Sequence, residues 1–115
     1  MTEAAEVARA AVDAAASKKA DDILLLDIRE QASMADYFVI CSASTDRQVK
    51  AVVEGIEEEL RQDGVRPVHV EGESGSGWVL IDYGEVVCHI FKPAERDYYR
   101  LEDLWQGAKT LVRMQ

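Results

Sequence analysis

Between Trp78 and Phe91 two β-rich runs flank the dipeptide Tyr83-Gly84, the pattern of a tight hairpin. Gly84 supplies the positive φ that such a turn needs, which Tyr83 adopts only at a cost. With Asp82 opposite Glu85, Leu80 faces Val87 and Trp78 faces His89. Strand alternation then sorts the side chains. Val79, Ile81, Val86, Cys88 and Ile90 make an aliphatic face that demands a core. Trp78, Leu80, Asp82, Glu85, Val87, His89 and Phe91 make a mixed face, with Tyr83 expected at the exposed tip of the turn. Large aromatics beside charges suit a surface that a partner completes. The candidate partner-binding set is therefore Trp78, Leu80, Asp82, Tyr83, His89 and Phe91. A one-residue slip of either strand would exchange its two faces.

The 115 residues suffice for one domain spanning 1–115. A chain of this length buries roughly two-thirds of its unfolded surface and needs no staple. No apolar run is long enough for a membrane helix, and the N-terminus has no signal-peptide pattern, so a cytoplasmic protein is expected. Cys41 and Cys88 both lie in apolar strands, as free buried thiols do. The formal net charge is −9 with no basic run, which argues against a grip on the phosphate backbone of a nucleic acid. A basic protein surface is the complementary partner, although such a charge also serves solubility alone.

Around the hairpin the chain reads α, β, β, α, β, β, β, α. Residues 3–20 are Ala-rich and helical, with a thin stripe of Val7, Ala11 and Ala14. Ile23–Ile28 is a strand, 29–34 a polar loop, and Asp36–Cys41 an apolar central strand covered on both faces. Thr45 and Gln48 have the spacing of a capping box, opening a helix whose buried stripe is Val49, Val52, Val53, Ile56 and Leu60. Gly64 suits its C-terminal cap. Pro67–Val70 is a short strand, which Pro67 either starts or places at an edge, 71–77 a mobile Gly/Ser loop, and Pro93–Asp97 a stop after the last strand. Leu101, Leu104, Trp105, Ala108, Leu111 and Val112 predict a final amphipathic helix. The strand–helix–strand unit 35–70 predicts parallel strands. A five-stranded mixed sheet flanked by helices, an α/β fold, satisfies all of this.

Catalytic chemistry finds no footing. Cys41, Ser42, Ser44, His69 and His89 lack the nucleophile–base–carboxylate spacing of a hydrolase, and there is no Gly-x-Ser-x-Gly elbow. The histidines are isolated and the cysteines lack Cys-x-x-Cys spacing, so no metal site is expected. The glycine-rich stretch 72–77 has no following lysine and opens a strand, which excludes a phosphate loop. No cofactor is called for.

Ala35–Cys41, Arg47-Gln48-Val49, Gly77–Gly84, His89-Ile90-Phe91, Arg96, Tyr99 and Leu101–Trp105 together resemble the Iojap family, whose bacterial members are the ribosomal silencing factors, RsfS. The likeness covers about residues 5–112. It departs at the 29–34 loop, where the family carries a glycine, and at Cys88, where an aliphatic residue is usual. The resemblance implies a fold similar to nucleotidyltransferases. Cys41-Ser42-Ala43-Ser44-Thr45-Asp46 has neither the Gly-Ser nor the paired aspartates those enzymes need, so the scaffold is expected to be non-catalytic. It further implies binding to the large ribosomal subunit through its protein fourteen, a block on subunit joining, and repression of translation when nutrients are scarce. Two rival readings are a degenerate nucleotidyltransferase that still binds nucleotide and a module whose mixed hairpin face serves a homodimer.

Overall fold

A computed structural model describes residues 3–115. Its centre is the strand β2, Tyr37–Ser42, in which every residue is buried. A strand whose two alternating sets are both apolar must be covered on both faces and flanked on both edges. The hairpin strand β5, Val86–Phe91, runs parallel to β2 on one side. The strand β1, Asp21–Asp27, runs antiparallel to it on the other. Outside these lie β4, Trp78–Asp82, the short β3, His69–Glu71, and β6, Lys109–Met114. The order across the sheet is β3-β4-β5-β2-β1-β6, with β5–β2 the one parallel pairing among the described residues.

The sheet has six strands, where five were expected. A short helix α3, Pro93–Tyr99, occupies the expected stop, and the predicted final helix over 101–112 is replaced by a 3-10 turn at Leu101–Trp105 and β6. Pro93 sits at the first position of α3, where its missing N–H costs nothing, so the residue that stops the strand also starts a helix. Arg100, at φ 46, turns the chain out of the helix. Apolar spacing over 101–112 fits a helix equally well. What decides against it is the open edge of β1, whose run Ile23–Leu26 is buried on both faces and whose backbone groups require partners. Antiparallel pairing of Leu24 with Arg113 and of Leu25 with Val112 supplies them.

Two helices cover one face. α1, Ala4–Ser17, and α2, Asp46–Gln62, pack with Ile23, Leu25, Val39, Val79, Ile81, Cys88 and Ile90 into one core. The N-terminus of α2 is capped by Thr45, whose hydroxyl accepts from the Gln48 amide at 3.1 Å. The Gln48 carboxamide reaches the Ser44 amide at 2.9 Å, one residue short of a capping box. At the other end Gly64 donates to Arg61 and Val65 to Leu60, the paired bonds of a Schellman motif. β2 and β3 point the same way, as expected of the unit 35–70, but β5 and β4 lie between them. The opposite face holds a second cluster of Leu24, Leu26, Ile28, Phe38, Ile40, Val87 and Phe91, against which Ala32, Trp78, Leu80, Leu101, Trp105 and Ala108 pack half-buried.

The hairpin register differs from expectation by two residues. Trp78 pairs with Phe91, Leu80 with His89, and Asp82 with Val87. The Tyr83 amide donates to the Val86 carbonyl at 2.8 Å, so the turn is Gly84-Glu85 and Gly84 takes φ 92. A shift of two preserves the faces. The loop 71–77 was expected to be mobile. It carries a 3-10 turn at Ser74–Ser76, where the Ser76 hydroxyl donates to the Glu73 carbonyl at 2.7 Å. Gly72 is required at its position, since a Cβ there would stand 2.2 Å from the Trp78 carbonyl oxygen.

Candidate functional site

Trp78 is the half-buried residue about which the second sheet face is arranged. It begins β4 directly across from Phe91, so the two rings share a face and stack, 4.9 Å between centroids. α3 follows β5 immediately and brings Tyr99 against the indole at 4.8 Å, its ring also 6.4 Å from that of Phe91. Tyr98 meets Tyr99 edge-on at 5.0 Å and is 80% exposed. Half-buried Leu80 continues the surface along β4. Trp78, Leu80, Tyr98 and Tyr99 thus form one aromatic and aliphatic surface on the face that α1 and α2 leave uncovered.

The mixed face predicted from alternation is real, but its members divide into layers. Phe91 is wholly buried and His89 is 4% exposed, so they support the surface from beneath. The Trp78 indole Nε1–H donates to His89 Nδ1 at 3.2 Å, and the imidazole meets the Phe38 ring edge-on at 4.7 Å. Burial pulls the His89 pKa down from 6.5 to about 4, which keeps the imidazole neutral near pH 7. Asp82 is half-buried at the end of β4, where its Oδ1 accepts from the Gly84 amide at 2.7 Å and ties the turn.

Tyr83 does not belong to this surface, and the expectation of an exposed turn tip is corrected. Because the turn starts at Gly84, alternation runs one residue further and directs Tyr83 to the helix-covered face. It packs against the core there, its hydroxyl buried with no partner among the described residues. Burial pushes its pKa up.

Sequence reasoning did not assign Tyr98, or the part played by α3. The clamp that holds α3 is Arg96. Its side chain is 10% exposed; Nη1 donates to the Asp22 carbonyl at 2.6 Å and to the Ser42 hydroxyl at 2.8 Å, and Nε to Glu102 at 3.0 Å. One guanidinium thus joins β1, β2, α3 and the following 3-10 turn. The available signal was an arginine between a strand-ending proline and a Tyr-Tyr pair, which does not show what it bonds. Cys41 and Cys88 are free and buried, and burial pushes the Cys41 thiol up to about 12 and that of Cys88 further, so neither is a nucleophile near neutral pH. Among the described residues no group of three His, Cys, Asp or Glu is placed to hold a metal, and no helix is long and apolar enough to cross a membrane.

Comparison with known proteins identifies the chain's relatives. The family profile described as "Ribosomal silencing factor during starvation" matches residues 1–115. The ribosomal silencing factor RsfS of Bacillus subtilis is 42% identical over 103 residues, 90% of this chain and 85% of that protein. A mouse protein named "Mitochondrial assembly of ribosomal large subunit protein 1" is 31% identical over 91 residues, 76% of this chain and 40% of that protein. The crystal structure of a protein from Chromobacterium violaceum, 36% identical, superposes with a TM-score of 0.88 over 96% of this chain and 94% of that one. With the profile matched from end to end and the fold shared with a relative, the chain belongs to the ribosomal silencing factor family, RsfS, whose members are regulatory factors and not enzymes.

Proposed function

We propose that this protein binds the large ribosomal subunit through ribosomal protein fourteen, prevents the small subunit from joining, and so represses translation when nutrients are limiting. The observation that carries this reading is the uncovered aromatic surface of Trp78, Leu80, Tyr98 and Tyr99 on a chain of net charge −9. Aromatic anchors within an acidic molecule suit a basic protein partner, since apolar contact supplies affinity and charge speeds encounter. The name of the mouse relative, with its reference to the ribosomal large subunit, supports the choice of subunit. Steric overlap alone accounts for repression, because a bound domain excludes whatever would occupy the same volume. The scaffold is taken as a nucleotidyltransferase-like one that has no catalytic carboxylates, and its place of action as the cytoplasm.

Co-sedimentation with separated subunits in sucrose gradients tests the proposal. The protein is expected in the large-subunit fractions and not with the small subunit. Equal association with both would overturn it. A complex formed with no ribosome present, and abolished by Trp78→Ala, would assign the same surface to a homodimer instead.

A further inference from the structure

The Trp78 hydrogen bond is directed inward. An exposed tryptophan ordinarily offers its indole N–H to water or to a partner, because that N–H is a donor only. Here Nε1–H is used by His89 Nδ1 at 3.2 Å. Since the indole can only donate, His89 Nδ1 must accept, and the ring proton of the neutral imidazole sits on Nε2. That Nε2 is buried without a partner among the described residues. The indole is therefore held three ways: by Phe91 stacked against it, by Tyr99 packed beside both rings, and by His89 at its polar edge.

We infer that His89 is a positioning residue that fixes the rotamer of Trp78 and withdraws its only donor, so that the partner meets Trp78 with an apolar socket and not with a hydrogen-bond acceptor. The inference rests on the reading of Trp78 as a docking anchor. Two consequences follow from the geometry. First, a side chain already immobilised loses less freedom on binding, which favours affinity. Second, an acceptor on the partner gains nothing from approaching the indole nitrogen, whereas an aliphatic or aromatic group gains the whole ring. An unpaired His89 Nε2 is costly in a core, and retention of that cost at this position accords with a histidine kept for what its other nitrogen does.

The test is a double-mutant cycle in the full chain, read by affinity for purified large subunits, with melting temperature as the control. The variants are Trp78→Ala, Trp78→Phe, His89→Phe and the double change Trp78→Phe with His89→Phe. His89→Phe keeps an aromatic ring, though a larger one, removes the acceptor and also removes the unpaired Nε2, and melting temperature reports whether the fold holds. Its affinity should fall roughly two- to tenfold, the cost of ordering one freed side chain. The signal of the indole N–H in a nitrogen–proton correlation spectrum should shift, and its exchange with solvent should quicken. Trp78→Phe should lose affinity by a similar factor, and the double variant should lose no more than either single one, because the indole N–H acts only through His89. Additive losses would overturn the inference, since the indole N–H would then be acting on the partner directly. So would wild-type affinity in a folded His89→Phe, with Trp78→Ala still impaired, and the docking reading would survive. Wild-type affinity in Trp78→Ala would overturn both. Should His89→Phe fail to fold, Trp78→Phe decides alone: wild-type affinity there refutes the need for a fixed indole.

Discussion

Replacing Arg96 by methionine should unfasten the segment that carries Tyr99. Methionine matches the aliphatic stem of arginine and removes only the guanidinium, so the loss measures the polar contacts. Those contacts are the Asp22 carbonyl at 2.6 Å, the Ser42 hydroxyl at 2.8 Å and the Glu102 carboxylate at 3.0 Å. Net hydrogen bonds of a charged group contribute about 1.5 kcal/mol or more each, but they share one desolvation cost. Glu102, only 29% exposed, would also be left without its cation. Breaking such a pair from one side costs about 3 kcal/mol. For a domain of this size that is a fall of roughly 12 °C in melting temperature. Thermal and urea unfolding monitored by circular dichroism measure it. Arg96→Lys should fall between wild type and methionine, because an ammonium cannot span three acceptors in different directions as the guanidinium fork does. Arg100→Ala is the control: Arg100 pairs with Asp97 and Asp103 in largely exposed contacts worth at most about 0.5 kcal/mol. A loss below about 1 kcal/mol for Arg96→Met would refute the view that this cation clamps α3 to the sheet. Subunit affinity should fall together with stability, since Tyr99 is one wall around Trp78.

Trp78→Ala, a half-buried truncation, should cost about 2 kcal/mol of stability and leave the protein folded at 25 °C, while affinity for the large subunit drops about thirtyfold. Acid should destabilise the protein through His89: its unfolded form protonates near pH 6.5 and its folded form only near pH 4, so stability is full above 6.5 and about 2 kcal/mol of it is lost by pH 5. Urea unfolding across that range should show the slope, and His89→Phe should flatten it. Tyr83→Phe removes a buried hydroxyl that has no partner, so chemical denaturation should find stability unchanged or raised by up to about 1 kcal/mol. Cys41 and Cys88 should resist a thiol reagent at pH 8 in the native protein and react at once in denaturant; rapid labelling without unfolding would contradict their burial.

Local pattern alone determined most of the frame. The apolar run 36–41 could only be a strand covered on both faces, the stripe Val49–Leu60 only a helix lying on a sheet, and the hairpin's two faces followed from alternation. Each of these depends on neighbours within a few residues, where period 2 and period 3.6 leave different marks. Register within the hairpin was not legible to better than two residues, because a shift of two preserves every face. It nonetheless decided whether Tyr83 reached the exposed tip of the turn or the core. The C-terminal stretch was misread because its apolar spacing suits either element; the open edge of β1, more than eighty residues earlier in the chain, made it a strand. Pairing across the sheet likewise set Trp78 against Phe91, and the return of α3 brought Tyr99 to the same indole. Trp78 and Leu80 were thus visible in the sequence as surface residues, whereas Tyr98 was not and Tyr83 was misplaced. Which side chains stay exposed and which support the others from beneath is fixed by burial, and burial is a property of long-range packing.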